Sequence, residues 1–454
     1  MIKKVRDMTK DKPAKLIILF AIPLMLGNIF QQLYNIVDTI VIGKFIGVEA
    51  LAAIGAGTWL YWMTTDIIIG FTQGFSILIS QCFGEDNIKK LRKTVTMSIL
   101  LAVIMSIIMT VLSLTLAKPV LVLLNTPENI LDISLAYLRI VFGGISVIMA
   151  YNTFSAILRA LGNSRTPLVA MIIAAFINIV LDLLLVVGLK IGVAGAAIAT
   201  VIAQLFSGLF CFGFLKKIPL LKLKKDDWKI DKDIIKQLVY LGAPISFQNG
   251  IIGFGGLVVQ YVINGFGFIF VAGFTATNKL YGILEVAAVS FGYSISTFTG
   301  QNLGAKKYDR IRVGMKAALK MAIGTSIIIS IIMIVFGRNI LSMFISGTPE
   351  EVKLVIDIAY RYLTVMSSML FILYMLHTYR CAIQGMGDTI IPMTSGIIEL
   401  FMRIGVVLIL PIFVGQIGIY FAEVAAWTGA VIILMPTYYI RLRKICCKDQ
   451  YESA

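Results

Sequence analysis

Apolar runs long enough to cross a bilayer as a helix, about 18 residues or more, recur along this chain from one end to the other. Hydrophobic residues make up 59% of the sequence and charged residues only 14%, whereas a soluble domain carries about 25% charged residues. Because a bilayer offers backbone groups no hydrogen-bond partners, apolar runs of this length cross it as helices. The sequence therefore predicts an all-α polytopic membrane protein.

We predict twelve transmembrane helices between residues 16 and 440, six on either side of a polar stretch at 216–236. That stretch has too little apolar content to span or to pack, so we interpret it as a cytoplasmic linker between an N-terminal lobe (1–215) and a C-terminal lobe (237–454). Most of the 40 Lys and Arg residues fall on the side that carries both termini, which the positive-inside rule assigns to the cytoplasm. We therefore expect a multi-pass protein of the cell (inner) membrane. Its net charge of +16 then reflects topology and lipid head groups rather than nucleic acid.

The two lobes repeat short sequence landmarks in the same order and at nearly constant spacing. The matched pairs are Pro23 with Pro244, "QCFG" with "QNLG", "NTPE" from Asn125 with "GTPE" from Gly347, Gly162 with Gly387, and Pro167 with Pro392. Six spans per half is an even number, so both halves insert with the same orientation. The repeat predicts a pseudo-two-fold axis along the membrane normal and a central cleft, as in transporters that bind substrate between repeats.

One face of the first predicted span is polar. Within "NIFQQLYNIVDTIVIG", four side chains recur at the helical spacing i, i+3, i+4 and i+7: Gln31, Tyr34, Asn35 and Asp38. A charge at the bilayer centre costs about 2.5–3.5 kcal/mol, so this stripe must face the protein interior or a hydrated cleft, where it forms a candidate substrate surface. Pro23 and Gly27 precede the stripe and allow this helix to bend.

A second acidic position lies in the fifth span, where "AAFINIVLDLLLVVG" places Asn178 and Asp182 one helical turn apart. Buried carboxylates need either a proton or a hard cation, and carboxylate, amide and hydroxyl oxygens suit such a cation. Thr200 in the sixth span offers a hydroxyl. Interhelical hydrogen bonds alone, worth about 0.6 kcal/mol each, would not offset the burial of two acids. Asp66 in the second span is a third acid, which either joins this site or faces a hydrated vestibule.

The second lobe differs chemically because its spans contain charges of both signs: Lys279, Glu285, Glu399, Arg403 and Glu423. Glu399 and Arg403 are i, i+4 neighbours in the eleventh span, and opposite charges at this spacing satisfy each other. We interpret them as a structural or gating pair, with a substrate site as the alternative. Lys279 and Glu285 are further candidate site residues.

Other function classes lack the motifs that they need. The sequence has no GxxxxGK[ST] phosphate loop, no Cys and His cluster with metal-ligand spacing, and no pairing of a nucleophile with a base. A receptor or scaffold would need long extramembrane domains, and the loops are too short to supply them. We therefore expect neither an enzyme nor a resident cofactor, only a coupling ion, H⁺ or Na⁺.

Together these residues resemble a transporter family. The segment "QQLYNIVDTIVIG" of the first span, "ALGNSRTP" before the fifth, and the series Asn178, Asp182 and Thr200 are similar to prokaryotic members of the multidrug and toxic compound extrusion (MATE) family. The resemblance covers essentially the whole chain and implies antiport of an organic compound against H⁺ or Na⁺. It also implies that Asp38 joins those three residues in the cation-coupling site of the N-terminal lobe, with Na⁺ as one candidate ion.

The seventh span, "APISFQNGIIGFGGLVVQ", lacks the glutamate that one branch of the family uses as a second cation site. The chain is therefore more similar to the DinF-like and MepA-like members, which rely on the first lobe. The implied partners are small organic cations or amphipathic drugs, handled by a monomer in the lipid bilayer. The alternative is a lipid-linked oligosaccharide flippase of the same superfamily. A flippase would need a large cationic cavity for a diphosphate, whereas this lobe is acidic.

Overall fold

The computed structural model describes residues 5–124, 126–343, 345 and 348–453, and in them the chain folds into fourteen α-helices. The helices are α1 (Pro13–Phe45), α2 (Val48–Gly84), α3 (Ile88–Leu123), α4 (Glu128–Gly143), α5 (Ile145–Ala160), α6 (Arg165–Asp182), α7 (Val193–Lys216), α8 (Lys232–Asn264), α9 (Phe268–Gly304), α10 (Tyr308–Ser342), α11 (Pro349–Ser368), α12 (Leu370–Gly385), α13 (Ile390–Val414) and α14 (Ala422–Ser453). The all-α fold class predicted from the sequence is confirmed.

Within the described residues, eight helical segments are long and apolar enough to cross a membrane, or up to ten if each of two bent helix pairs counts as one span. These helices make the chain a multi-pass membrane protein. Outward-facing apolar side chains, such as Ile107 and Val111 on α3 and Val335 on α10, suit contact with lipid. The count of twelve spans and the cytoplasmic position of the termini stay predictions.

Two predicted spans are bent rather than straight. The span predicted at 131–157 consists of α4 and α5, which meet at 46°, and the span predicted at 352–379 consists of α11 and α12, which meet at 50°. Gly144 lies at the first bend, and the serine pair that ends α11 lies beside the second. Helices kink readily at such residues.

The helices repeat in the two halves of the chain, seven in each. α1 and α8 both contain 33 residues, and α2 and α9 both contain 37. Gly47 and Gly267 precede α2 and α9 with positive φ angles of 119° and 90°, a conformation that favours glycine. The predicted repeat is thus visible in local structure, while the two-fold axis stays a prediction. Asn125 and Gly347, which begin one landmark pair, lie outside the described residues.

The chain forms two compact units. Unit 1 contains residues 5–8 and 22–246, and unit 2 contains residues 9–21 and 247–453. α1 and α8 therefore each contribute to both units. The predicted lobes, divided at 216–236, stay a prediction about the membrane arrangement and the repeat.

The polar linker is folded, so the expectation that it does not pack is wrong. It contacts the start of α3 through ion pairs. Arg92 Nε lies 3.6 Å from Asp227 Oδ2, and Lys93 Nζ lies 2.7 Å from Asp231 Oδ2. The Thr96 hydroxyl donates a hydrogen bond of 2.5 Å to the Asp227 carbonyl. The Lys93 ammonium holds the pKa of Asp231 below its ordinary value. Hydrophobic patterning does not predict a segment whose packing is polar.

Candidate ion-coupling site

Three helices of unit 1 each bring a pair of polar side chains to one region. The pairs are Tyr34 and Asp38 on α1, Asn178 and Asp182 on α6, and Thr200 and Gln204 on α7. In each pair the residues are four apart, so they lie on one face of their helix. Directly after Asp182 the chain enters a π-helical segment, Leu183–Gly188, an irregularity that often occurs at functional sites.

A small cavity lies among these helices. It is lined by Tyr34, Ala174, Asn178, Thr200, Ala203 and Gln204. About 10 Å³ is open to the centre of a water molecule, which is close to the least that a cavity needs to hold one water. The structure therefore brings Asn178 and Thr200, two of the predicted coupling residues, to the same cavity wall.

The two predicted acids form what we call the acidic pair, Asp38 and Asp182. Their carboxyl groups lie close enough to interact electrostatically. Asp182 is completely buried, whereas Asp38 is half-buried with one carboxylate oxygen shielded from solvent. Ionised carboxylates only accept hydrogen bonds, so a hydrogen bond between the two groups would require a proton on one of them.

Several buried polar atoms of this region have no hydrogen-bond partner among the described residues. These atoms, which we call the orphan site atoms, are Asp38 Oδ1, both carboxylate oxygens of Asp182, Oδ1 and Nδ2 of Asn178, and Gln204 Oε1. Buried polar groups are normally hydrogen-bonded, so each exception needs an explanation. All but one of these atoms are oxygens, the ligand type that hard cations take. The donor set therefore fits a proton or a hard cation as cargo.

Only part of the polar face predicted on α1 is buried at this site. Tyr34 is buried and interacts with the Gln31 side chain, while Asn35 is exposed. Two further tyrosines, Tyr61 on α2 and Tyr137 on α4, lie within electrostatic range of Asp38. Sequence reasoning missed both tyrosines because each lies on a helix other than those that carry the two acids. It also missed Gln204, whose signal is its position one turn after Thr200.

Unit 2 contains a network of buried charges. Arg380 on α12 forms an ion pair with Glu399 on α13, and Arg403 on α13 donates a hydrogen bond of 2.8 Å from Nη2 to Glu423 on α14. The predicted pairing of Glu399 with Arg403 is therefore corrected, because each takes its partner from a neighbouring helix.

Arg380 is the member of this network that the sequence did not reveal. The predicted tenth span ended at 379 and left Arg380 in a loop, whereas it lies inside α12 and is only 5% exposed. Its Nη2 also lies 3.2 Å from the Ser395 hydroxyl. With its amide oriented to match its neighbours, Gln248 accepts hydrogen bonds from Arg380 Nε and Nη1 at 3.0 and 3.2 Å. So many matched partners indicate a structural role.

The remaining candidates occupy varied surroundings. Asp66 on α2 is half-buried and is not among the residues that line the cavity. Glu285 on α9 lies 3.2 Å from His377 Nε2, and Lys279 on the same helix is exposed. None of these positions by itself indicates an ion site.

A family model described as MatE matches residues 23–184 and 244–409, which together make up most of the chain. The chain belongs to the MatE family. The same model matches twice, and the matches begin at the landmark prolines Pro23 and Pro244. The internal repeat of this MatE protein is thereby confirmed, as is the resemblance on which the sequence interpretation relied.

Curated relatives of this MatE protein are named for drug resistance. The probable multidrug resistance protein YpnP of Bacillus subtilis (strain 168) is 30% identical over 77% of this chain and 78% of its own length. YoeA of the same organism is also named a probable multidrug resistance protein. It is 28% identical over 74% of this chain and 75% of its own length. The multidrug export protein MepA of Staphylococcus aureus (strain N315) is 21% identical over 72% of each chain.

Solved structures share the fold. A MOP superfamily transporter from Pyrococcus furiosus aligns with a TM-score of 0.91 and 21% identity, over 98% of this chain and 99% of that one. A structure described as MATE in the bent conformation gives a TM-score of 0.90 with the same identity and coverage. The fold of this chain is that of a MATE transporter.

Proposed function

We infer that this MatE protein is a secondary multidrug efflux antiporter, which exports amphipathic, often cationic organic compounds in exchange for H⁺ or Na⁺. The observation that carries the inference is the acidic pair, whose carboxyl groups lie together on apolar helices and contribute three orphan site atoms. Ionisable groups inside membrane helices usually mark ion or substrate pathways. The names of YpnP and MepA support a drug-like cargo.

Coupling follows from competition for the same negative charge. An ion-free acidic pair attracts an organic cation towards Asp38, its half-buried member. Binding of H⁺ or Na⁺ from outside neutralises the pair, so the drug loses its counter-charge and is released. Net transport also requires that each ligand bind the inward-open and outward-open conformations with different affinity, because equal affinity shifts no population.

α1 is the element that would couple binding to movement. It runs from Pro13 to Phe45 with Pro23 inside it, and proline removes one backbone hydrogen bond from a helix. A Cβ atom at Gly27 would only reach ordinary contact with Leu168, at 3.7 Å. We therefore propose that α1 bends over Pro23–Gly27 and displaces Asp38, which lies beyond the bend.

The flippase alternative is not favoured. A diphosphate would need a basic site, whereas the polar groups that line the cavity of unit 1 are amides and hydroxyls, and the acidic pair follows one helical turn later on α1 and α6. The relatives described above are named for multidrug resistance or export, which supports drugs rather than lipid-linked sugars as cargo.

Asp38→Asn should abolish gradient-driven efflux, because a neutral side chain no longer exchanges a drug for an ion. The measurement is efflux of the cationic dye ethidium from proteoliposomes under an imposed Na⁺ gradient or an imposed pH gradient. Wild-type protein should respond to at least one gradient. In the variant, the gradient-driven efflux rate should fall by about 10- to 100-fold, which is the scale of a typical coupling free energy between two linked sites.

Glu49→Gln is the matched control, since Glu49 is an exposed acid in the first turn of α2 and should be dispensable. If neither gradient moves dye through the wild-type protein, the antiport proposal fails and the flippase alternative becomes the leading one. If Asp38→Asn transports normally, the acidic pair is not the coupling site.

A further inference from the structure

The polar linker, residues 216–236, carries more positive charge than its own acids balance. It contains eight lysines and four aspartates, and all eight lysines are exposed. Two of the four acids pair with residues outside the linker. Asp227 is 6% exposed and pairs with Arg92 of α3, and Asp231 pairs with Lys93 of the same helix. Because α3 neutralises these two acids, the outer surface of the linker is strongly basic.

Two large apolar side chains are exposed on the same segment. Trp228 is 46% exposed and Ile230 is 69% exposed, although Asp227 beside them is buried. The backbone here is held in place, since Lys225–Trp228 forms a 3-10 turn and the Asp227 carbonyl accepts a hydrogen bond from the Thr96 hydroxyl. A fixed backbone therefore holds both side chains at the surface, where contact with water is unfavourable for them.

The linker lies close to the level at which α3 would meet lipid. Arg92 Nη1 donates a hydrogen bond of 3.3 Å to the Lys222 carbonyl, and the Asp231 amide nitrogen lies 3.5 Å from Met97 Sδ. The long series of exposed apolar side chains on α3 starts at Val103, six residues after Met97. This separation is about 9 Å along the helix, and the head-group layer of a bilayer is about 5–7 Å deep. These distances bring the linker beside the lipid head groups at this end of α3.

We propose that one face of the linker binds the head groups of anionic phospholipids. This linker face consists of Lys222, Lys224, Lys225, Trp228 and Ile230. Its lysine ammonium groups attract the negative charge of the lipid phosphates. Its tryptophan ring and its isoleucine suit the boundary between head groups and acyl chains. The proposal goes beyond the transport function and does not depend on which ion drives it.

A lipid fits the linker face better than a soluble anion does. A free phosphate would use the lysines alone and leave Trp228 and Ile230 in water, whereas a lipid also offers them an apolar boundary. Asp226 is exposed on the same segment, but its carboxylate lies 2.9 Å from Lys229 Nζ. That acid is thus balanced by a lysine outside the linker face, which keeps its attraction for an anionic lipid.

The triple variant Lys222→Gln, Lys224→Gln, Lys225→Gln removes the charge of the linker face and keeps long polar side chains. The measurement is the thermal-unfolding midpoint of purified protein in detergent micelles that contain increasing amounts of phosphatidylglycerol or phosphatidylcholine. A ligand that binds the folded state raises this midpoint with its concentration. We expect phosphatidylglycerol to stabilise wild-type protein more than phosphatidylcholine does. The amount needed for half of the effect should rise about tenfold or more in the triple variant, since each lost lysine removes a separate attraction.

Lys44→Gln, Lys118→Gln, Lys190→Gln is the matched control, because it removes the same charge from three exposed lysines of unit 1 outside the linker. It should keep the wild-type response to phosphatidylglycerol. Trp228→Gln combined with Ile230→Gln should weaken that response without any change in charge. Raising NaCl from about 0.1 M to about 1 M should remove most of the difference between the two lipids, because the Debye length falls from about 10 Å to about 3 Å.

Without phosphatidylglycerol the triple variant should unfold at the wild-type temperature, because its three lysines are exposed. Equal stabilisation of wild-type protein by the two lipids would overturn the proposal, as would an unchanged phosphatidylglycerol response in the triple variant. Full stabilisation by glycerol phosphate, a soluble head group without acyl chains, would replace the lipid with a soluble anion. An unchanged response in Trp228→Gln with Ile230→Gln would likewise contradict the insertion of these side chains among lipids.

Discussion

Asp182→Asn should abolish gradient-driven export and, in the same purified protein, raise the unfolding temperature in Na⁺-free buffer. Asp182 is completely buried, and both of its carboxylate oxygens are orphan site atoms. Asparagine keeps the size of the side chain but is neutral, so it needs no ion. Driven export should fall about 10- to 100-fold, as expected when the coupling between two linked sites is lost.

The gain in stability has its own physical origin. A buried polar group without a partner costs about 1–3 kcal/mol, and the acidic pair places two such groups next to each other. The substituted asparagine would carry no charge to repel Asp38, so we expect the free energy of unfolding to rise by about 1–2 kcal/mol. Functional sites often sacrifice stability in this way. A rise in stability together with lost coupling would therefore indicate that the buried acid serves transport.

Two comparisons make this result specific. Asp132→Asn changes an acid of α4 in the same unit that does not line the cavity, and should leave both export and the unfolding midpoint at wild-type values. Downhill exchange of dye without any imposed gradient tests whether Asp182→Asn is still a folded carrier. Undiminished gradient-driven export by Asp182→Asn would contradict the role of the acidic pair.

Helical periodicity predicted which residues of α1 and α6 belong to the candidate site. Spacing alone placed Asp38 on the polar face of α1 and paired Asn178 with Asp182, and in the structure the two acids lie close enough to interact electrostatically. Periodicity identifies the face of one helix, but not which residues of other helices approach it. Gln204 and Tyr137 were missed for this reason, because they lie on α7 and α4 and not on the helices that carry the two acids.

For the fold, too, the sequence predicted the general features but not the local details. Hydropathy indicated the helical class and the landmarks indicated the repeat, but hydropathy averages over a window of residues and cannot locate a bend. The bends of 46° and 50° inside two predicted spans, and the salt-bridged linker, therefore escaped it. Because of the same averaging, the predicted tenth span stopped at 379, one residue before Arg380. The prediction therefore missed one member of the buried ion pair between Arg380 and Glu399.

Arg380→Met should lower the free energy of unfolding by about 3–5 kcal/mol, because Glu399 would remain buried without its counter-charge. Arg380 and Glu399 are only 5% and 4% exposed. Arg380 also supplies hydrogen bonds to Ser395 and Gln248, which would lose their donor. The measurement is the thermal-unfolding midpoint of the detergent-purified protein, together with the folded yield from size-exclusion chromatography.

Adding Glu399→Leu to Arg380→Met tests whether the loss comes from the uncompensated charge. Replacing both members of a buried ion pair with apolar residues is often neutral or stabilising, so the double variant should recover most of the lost midpoint. Lys229→Met is the control, because Lys229 and Asp226 form an exposed pair at 2.9 Å that solvent screens, and its midpoint should match wild type. If the double variant unfolds as readily as Arg380→Met, then Arg380 stabilises unit 2 through its packing and its bonds to Ser395 and Gln248 rather than through Glu399.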